Sequence, residues 1–203
     1  MRPIQLVCFD LGGVVVRICR SFEEACAAAQ LPVRPARFDG IDELTRRYQV
    51  GELTPAEFAR ALALDMGTYA PEEILAIHRA WLLDAYAGVP ELVDELHQAG
   101  LATAVLSNTN SGHWATLVEL PAVRRIRHLF ASHLIGAVKP ARGAYEHVER
   151  ATGVRGEAVV FFDDTAENVH AARGLGWRAA LIAPERDPAA QMRAALRELG
   201  VLR

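Results

Sequence analysis

The chain is almost without lysine. Of its 22 basic residues, 21 are arginine, and the single lysine is Lys139. This chain uses arginine wherever charge alone suffices. A single lysine therefore suggests a position that needs a compact ammonium with three donors, which the broader guanidinium group cannot replace. Asparagine is also scarce, because Asn108, Asn110 and Asn168 are the only ones. Both rare residue types therefore indicate short segments in which a functional site is expected.

Further absences exclude several classes of protein. Among the 203 residues no apolar run approaches the roughly 20 that cross a bilayer, so no membrane partner is expected. A formal net charge of −3 provides no basic surface for a nucleic-acid backbone. The three cysteines, Cys8, Cys19 and Cys26, are odd in number and lack the spacing of metal ligands. We therefore expect reduced thiols in a cytoplasmic protein.

Four nearly continuous apolar runs have the length and composition of parallel strands that are buried on both faces. They are residues 4–9, 102–106, 158–162 and 179–183, with residues 129–135 as a weaker fifth candidate. Helical patterns alternate with them, and a glycine follows the last periodic residue of each, at residues 90–99, 141–152, 165–175 and 188–199. This alternation predicts an α/β fold with a doubly wound, Rossmann-like parallel sheet.

Residues 18–87 interrupt the alternation. They contain no convincing strand, and their apolar periodicity predicts amphipathic helices at residues 22–30, 41–48, 55–64 and 71–85. Thr54 and Glu57 have the spacing of a capping box at the start of the third of these helices. Because about 70 residues are too many for a loop, we predict a helical cap domain at residues 18–87. The α/β core would then consist of residues 1–17 and 88–203.

Polar residues cluster where the predicted strands end. The residues expected there are Asp10, Ser107, Asn108, Lys139, Asp163 and Asp164. In an open parallel sheet ligands bind beyond the carboxyl ends of the strands, so these side chains are expected to share one edge. Three carboxylates cannot all remain ionised side by side without a cation, and Mg²⁺ prefers oxygen ligands. The pattern therefore predicts a magnesium site that binds a phosphoryl group.

Four short motifs occur in order at residues 9–14, 106–110, 139–140 and 162–164, with the sequences FDLGGV, LSNTN, KP and FDD. On these motifs the chain resembles the haloacid dehalogenase superfamily over essentially its whole length. The resemblance is to its phosphatases with a helical cap inserted after the first strand, and within them to bacterial α-D-glucose-1-phosphate phosphatases. It implies a Mg²⁺-dependent hydrolase that forms an aspartyl-phosphate.

The resemblance also implies the metal ligands. Asp10 would attack phosphorus and bind Mg²⁺ through its other oxygen, and the backbone carbonyl of Gly12 would be a second ligand. Asp164 would bind the ion directly, with Asp163 as a further ligand or a water-mediated partner.

The same resemblance assigns the phosphoryl contacts. Ser107 and Lys139 would hold the phosphoryl oxygens during catalysis, and Asn108 would add a donor from its backbone or its side chain. The expected partner of the site is a small phosphorylated metabolite.

Gly12 departs from the pattern of these phosphatases, which carry an aspartate there as general acid and base. Such catalysis contributes roughly 10²- to 10⁴-fold, so its loss should penalise alkyl phosphates most. Esters with a better leaving group, such as the anomeric oxygen of a sugar, would lose less, and sugar phosphates are the expected substrates. Two alternatives stay open. The first is hydrolysis of a carbon–halogen bond by the same nucleophile, which needs no Mg²⁺ and would make the Asp163–Asp164 pair a liability. The second is a protein that binds a phosphorylated metabolite without catalysis, which needs no general acid.

Other polar residues lie outside the motifs. His113 follows Ser107 by six positions and could face the substrate, although its context is as ordinary as that of the other six histidines. Arg17, Arg20 and Tyr48 flank or lie within the predicted cap and could contact the distal end of a substrate. For these three residues we predict solvent-exposed surface instead.

Overall fold

The computed structural model describes residues 3–37 and 39–203. Met1, Arg2 and Phe38, which fall within the predicted domain ranges 1–17 and 18–87, lie outside the described residues. Among the helices described, none combines the length and the apolar character that a membrane span requires.

The strands of the described residues are β1 (Leu6–Phe9), β2 (Val16–Ile18), β3 (Leu82–Ala85), β4 (Ala102–Ser107), β5 (His128–Ala131), β6 (Val159–Asp163) and β7 (Arg178–Leu181). Five of them form one parallel sheet in the order β5–β4–β1–β6–β7. The chain winds outward from β1 to one edge and then returns to build the other half, which is the arrangement of a doubly wound sheet. The predicted Rossmann-like α/β fold is confirmed.

The helices are α1 (Phe22–Ala28), α2 (Ile41–Gln49), α3 (Pro55–Met66), α4 (Pro71–Ala80), α5 (Val89–Gln98), α6 (Ser111–Leu117), α7 (Pro121–Arg124), α8 (Ser132–Ile135), α9 (Arg142–Thr152), α10 (Ala166–Gly174) and α11 (Pro188–Glu198). A short 3₁₀ turn, Gly156–Ala158, precedes β6. Helices α5, α7 and α11 share an apolar cluster with one face of the sheet, and α9 and α10 share one with the other face.

Side-chain alternation along β1 divides the core into these two clusters. Val7 and Phe9 belong to the cluster of α5 and α11, whereas Leu6 and Cys8 belong to the cluster of α9 and α10. All four side chains are fully buried. A strand that is apolar at every position therefore suits the centre of a sheet covered by helices on both faces.

Helices α1 to α4 pack around a third apolar cluster, whose buried members include Cys26, Tyr48, Phe58, Leu62 and Ile77. We refer to residues 19–81 as the helical insert. The predicted capping box is confirmed at the start of α3. Thr54 Oγ1 accepts the backbone N–H of Glu57, and the Glu57 carboxylate accepts the backbone N–H of Thr54.

The prediction of one helix over residues 71–85, and of no strand within residues 18–87, is wrong. Helix α4 ends at Ala80, and β3 pairs antiparallel with β2, so that Ile18 lies opposite Leu82 and Val16 opposite Ala85. The apolar residues of β3 continue the helical pattern of α4 with no glycine or proline between them. Only pairing with a segment far away in the sequence distinguishes this strand, and local periodicity cannot report such pairing.

A second boundary also differs from the prediction. The candidate strand at residues 129–135 ends as β5 at Ala131, and the chain then forms the short helix α8. Ser132 Oγ accepts the backbone N–H of Thr109 and donates to the Thr109 carbonyl. These two hydrogen bonds hold the start of α8 against the loop that follows β4.

Candidate active site

The carboxyl ends of β1, β4 and β6 meet at one edge of the sheet, because the three strands are parallel and adjacent. Asp10 directly follows β1, and Ser107 is the last residue of β4. Asp163 ends β6, and Asp164 follows it. Lys139 reaches the same edge from the loop after α8. The fold therefore brings the predicted site residues together from four separate segments.

Lys139 forms the centre of this site. Its Nζ lies 2.9 Å from Asp10 Oδ1 and 2.6 Å from Asp163 Oδ2, and its side chain is almost fully buried. Burial alone would lower the pKa of the ammonium, but the carboxylates of Asp10 and Asp163 outweigh it and raise the pKa of Lys139 above its ordinary value. The lysine therefore stays charged and holds both carboxylates.

Asp163 uses both carboxylate oxygens inside the protein. Oδ2 accepts from Lys139 Nζ, and Oδ1 accepts the backbone N–H of Thr165 at 2.8 Å. The side-chain amide of Asn168 donates to both oxygens at 3.1 Å. A carboxylate bonded in this way is suited to orienting Lys139. We assigned no role to Asn168 from the sequence, and the scarcity of asparagine was the only signal that marked it.

The side chain of Asn108 is hydrogen-bonded to the loop between α8 and α9, which carries Lys139 and which we call the lysine loop. Its Oδ1 accepts the backbone N–H of Lys139 at 2.7 Å, and its Nδ2 donates to the Lys139 carbonyl at 2.8 Å. This two-way pair fixes the lysine loop against the end of β4. Because this pair fixes the side chain and uses one of its two N–H groups, we assign the donor predicted for the substrate to the backbone N–H of Asn108.

Three carboxylates form a group that fits a divalent cation. One oxygen from each of Asp10, Asp163 and Asp164 lies within 4.8 Å of the others. Burial raises the pKa of Asp10 to about 6 against the lowering effect of Lys139, and the Asp163 carboxylate adds to the increase. A cation among these oxygens would favour the ionised form of Asp10. Hard oxygen donors at this spacing fit the predicted Mg²⁺.

Arg20 is a site residue that the sequence prediction placed on the surface. Its Nη1 lies 3.1 Å from Asp164 Oδ2, while about half of its side chain remains exposed. The prediction is therefore wrong in part for Arg20. Arg17, in contrast, forms an ion pair with Asp84 in which both side chains are largely exposed, as predicted.

A cavity of about 330 Å³ lies between the helical insert and the site edge of the sheet. Gly12, Ser107 and Asn108 line it on the sheet side. Tyr48, which we predicted to be exposed, is buried in its wall, and the Tyr48 hydroxyl accepts the backbone N–H of Gly112 at 3.2 Å. That prediction is wrong because Tyr48 packs in the apolar cluster of the insert, with its ring stacked on Phe58, and its hydroxyl reaches the first turn of α6.

His113 lines the same cavity and joins the core to the insert. Its ring stacks on that of His78 with 3.7 Å between centroids, and its Nε2 donates to the His78 carbonyl at 2.6 Å. Burial lowers the pKa of both imidazoles below the ordinary value, to about 2 for His78. Both rings are therefore neutral, and neither adds charge to the cavity.

Gly13 forms a left-handed turn beside Asp164. Its φ is +78°, and a Cβ at this position would collide with the Asp164 carboxylate. We therefore expect Gly13→Ala to displace Asp164 and to weaken Mg²⁺ binding by about tenfold or more, as perturbed metal sites commonly do. Titration of Mg²⁺ by calorimetry measures this directly.

Gly67→Ala is the matched control for this variant. Gly67 has a φ of +70°, but nothing lies within 4 Å of the position of its Cβ. The left-handed backbone costs each alanine variant roughly 1 kcal/mol of folding free energy, so both melting temperatures should fall. Only Gly13→Ala should lose Mg²⁺ affinity. Equal affinities in the two variants would contradict a ligand role for Asp164.

Comparison with known proteins agrees with this geometry. A model of the family described as haloacid dehalogenase-like hydrolase matches residues 4–176. The chain belongs to this hydrolase family. A phosphatase from Mycobacterium tuberculosis is 30% identical to it over 189 residues, which cover 88% of this chain and 87% of the relative.

Two solved structures share the fold. A haloacid dehalogenase family enzyme from Bacteroides thetaiotaomicron, in complex with magnesium and inorganic phosphate, has a TM-score of 0.77 at 22% identity and covers 94% of this chain and 100% of its own. The L-2-haloacid dehalogenase from Xanthobacter autotrophicus has a TM-score of 0.65 at 20% identity, with coverage of 98% and 85%. The predicted family is thus confirmed, whereas the narrower resemblance to α-D-glucose-1-phosphate phosphatases stays a prediction.

Proposed function

We propose that this hydrolase is a Mg²⁺-dependent phosphatase that acts on small phosphorylated metabolites through an aspartyl-phosphate on Asp10. The observation that carries the proposal is the Lys139 ammonium, which lies 2.9 Å from Asp10 within reach of three clustered carboxylates. A preorganised cation beside a nucleophilic carboxylate suits phosphoryl transfer, because the charge on the phosphoryl oxygens must be stabilised as the bond to phosphorus forms.

The side chains have distinct tasks in this proposal. Asp10 attacks phosphorus with one carboxylate oxygen, while Lys139 and Ser107 hold the phosphoryl oxygens. Asp163 keeps Lys139 in position through the hydrogen bonds that fix its own carboxylate. The backbone N–H of Asn108 adds a further donor at the end of β4.

Mg²⁺ would neutralise phosphoryl charge in the same site. Asp10 and Asp164 would hold it together with the backbone carbonyl of Gly12, and Asp163 would be a further or water-mediated ligand. We propose that the predicted cap, residues 18–87, covers the site and limits the access of water to it. The core of residues 1–17 and 88–203 would supply all of the chemistry.

The comparisons support a phosphatase over the two alternatives. The relative from Mycobacterium tuberculosis is named as a phosphatase. The structure from Bacteroides thetaiotaomicron is a complex with magnesium and inorganic phosphate. Dehalogenation by Asp10 would need no cation, and without one the paired Asp163 and Asp164 carboxylates would add repulsion beside the nucleophile. A protein that merely binds a phosphometabolite would gain nothing from a carboxylate held against Lys139.

Hydrolysis of p-nitrophenyl phosphate tests the proposed function, because its leaving group needs no protonation. We expect turnover with Mg²⁺ and a fall of at least about tenfold after chelation by EDTA, since the metal contributes several kcal/mol of charge stabilisation. Added Mg²⁺ should restore the rate, whereas Ca²⁺, which prefers more ligands and longer distances, should restore it poorly.

Haloacids serve as the matched comparison in the same experiment. Chloride release from 2-chloropropionate that persists in EDTA would favour the dehalogenase. No turnover of either substrate, with inorganic phosphate still bound in the presence of Mg²⁺, would favour the binding protein.

A further inference from the structure

The cavity beside the site has predominantly apolar walls. The insert contributes Phe22, Phe58, Leu62, Ile74, Ile77 and Trp81. The core side adds Leu11, Val16 and Leu117. At about 330 Å³ the cavity lies at the lower end of the range for small-molecule sites, and its inner wall reaches Gly12 and Ser107. A substrate whose phosphoryl group lies at Asp10 would therefore project its remaining atoms into an apolar space.

Among the polar side chains of the cavity wall, Tyr48, His78, Asn108, Asn110 and His113 are bonded to other protein groups, whereas Thr109 Oγ1 is buried without a partner among the described residues. Asn110 Oδ1 accepts the backbone N–H of His113. Asn110 Nδ2 donates to His78 Nε2, with 3.3 Å between the two nitrogens. His113 Nε2 donates to the His78 carbonyl, and the Tyr48 hydroxyl accepts from Gly112. The wall keeps few free polar groups, chiefly Thr45, Gln49 and Thr109, once Ser107 holds the phosphoryl group. A sugar has more hydroxyls than these groups can pair, and each buried unpaired hydroxyl weakens binding.

The position of the absent general acid is filled by an apolar group. Ile18 Cδ1 lies 3.2 Å from the point that a Cβ on Gly12 would occupy. The leaving oxygen thus meets glycine and an isoleucine methyl group where related phosphatases would present a carboxylic acid. A leaving group that departs without protonation is required, and phenols satisfy this because their pKa is about 10, as in tyrosine, and far below that of alkyl alcohols.

From these two features together we infer that the substrate is an aryl phosphate, the phosphate monoester of an apolar phenol. The inference rests on the proposed phosphatase function and replaces the expectation of a sugar phosphate. The aromatic side chains of Phe22, Phe58 and Trp81 would contact the ring of the phenol, as aromatic groups do in apolar sites.

The reaction balances without a proton donor at Gly12. An oxygen of Asp10 forms the bond to phosphorus while the bond from phosphorus to the phenolic oxygen breaks, and the electron pair leaves on the phenolate. Water then attacks phosphorus, which releases inorganic phosphate and restores Asp10. The proton lost from that water neutralises the phenolate, so the products are a phenol and phosphate.

A series of phenyl phosphates with para-alkyl groups separates the size of the leaving group from its acidity. Methyl, ethyl and propyl substituents leave the acidity of the phenol nearly unchanged and enlarge its apolar surface. We expect kcat/KM to rise roughly two- to fourfold per methylene until the cavity is full, as burial of a methylene predicts. At fixed size, phenyl phosphate should exceed cyclohexyl phosphate by about 10²-fold or more, because the alkoxide needs the missing acid. Glucose 1-phosphate should be a poorer substrate than phenyl phosphate and its para-alkyl derivatives.

Binding of phosphonates to the unmodified protein provides a readout that does not depend on turnover. With Mg²⁺ present, affinity measured by calorimetry should increase from methylphosphonate to phenylphosphonate to 4-propylphenylphosphonate. Thr45→Phe should reduce this gain by several fold, because Thr45 is half-buried and lines the cavity. Leu64→Phe is the matched control, since Leu64 is 86% exposed on α3 and lies outside the cavity.

The outcomes separate this inference from the proposed function. Turnover of phenyl phosphate with no gain from alkyl groups, or with glucose 1-phosphate preferred, would overturn the aryl inference and leave the phosphatase intact. Affinity that rises with phosphonate size without any turnover would support the apolar subsite and overturn the phosphatase. Neither turnover nor a size-dependent affinity would overturn both.

Discussion

Replacement of Asp10 by asparagine is expected to lower kcat for p-nitrophenyl phosphate by at least about 10³-fold. An amide oxygen is a poor nucleophile, and no aspartyl-phosphate can form on it. The substrate can still bind, because Lys139 and Ser107 remain in place. The loss should therefore appear in kcat rather than in KM, and steady-state kinetics with saturating Mg²⁺ measure the two separately.

The same variant should fold at least as well as the unmodified protein. Asp10 is a largely buried carboxylate whose pKa is raised chiefly by desolvation, so a neutral amide removes repulsion from the neighbouring carboxylates. Lys139 keeps its 2.6 Å contact with Asp163, so no buried charge loses its last partner. Thermal unfolding of Asp10→Asn checks this point.

Asp84→Asn is the matched control, because Asp84 is a largely exposed aspartate on β3. It makes the same chemical change outside the group of three carboxylates and should leave kcat unchanged. Retention of more than about a tenth of the activity by Asp10→Asn would identify a different nucleophile. Transient phosphorylation of Asp10, detected by mass spectrometry of rapidly quenched protein, would locate the intermediate directly.

The sheet and the residues at its edge could be predicted because their signals are local. Each core strand is a short run of apolar residues, and in a parallel sheet the residue after such a run lies at the ligand edge whatever the intervening chain does. Asp10, Ser107 and Asp163 were placed by this rule alone. The rarity of lysine then identified Lys139, which no strand pattern includes.

The residues that escaped prediction depend on contacts across long stretches of chain. Arg20 reaches Asp164 only because β2 and β3 bring the start of the insert beside the end of β6. Tyr48 is buried because it joins the apolar cluster of the insert, where its ring stacks on Phe58, and because its hydroxyl meets the first turn of α6. Arg20 lies in a short connection and Tyr48 on an amphipathic helix, and the local sequence of neither differs from solvent-exposed surface, so periodicity and composition carry no signal for them.

Asn108 shows a subtler difference between prediction and structure. Its motif predicted a contact with the substrate, and its location at the end of β4 agrees with that. The structure nevertheless uses both ends of its side chain on the backbone of Lys139. A motif identifies which residues belong to a site, whereas the choice between binding a ligand and positioning a neighbour depends on hydrogen-bond geometry.

Replacement of Lys139 by methionine is expected to impair both stability and catalysis. Methionine preserves much of the side-chain volume but leaves Asp10 and Asp163 without the cation that lies within 2.9 Å of both. Loss of one partner from a buried charge group commonly costs 3–5 kcal/mol, so we expect a decrease of about that size in the free energy of unfolding without Mg²⁺. Removal of the donor to the phosphoryl group should lower kcat/KM by about 10²- to 10³-fold.

Two further experiments, the addition of Mg²⁺ and a second substitution, separate the structural role of Lys139 from its catalytic role. Mg²⁺ among the carboxylates should restore part of the stability of Lys139→Met, because a cation again lies beside Asp10. The double variant Lys139→Met with Asp163→Asn removes one of the unpaired charges and should also recover stability. Neither change should recover activity, since no donor returns to the phosphoryl oxygens. Recovery of kcat/KM together with stability would show that Lys139 only neutralises the carboxylates. The phosphoryl contact would then have to come from Ser107 and the backbone of the loop after β4.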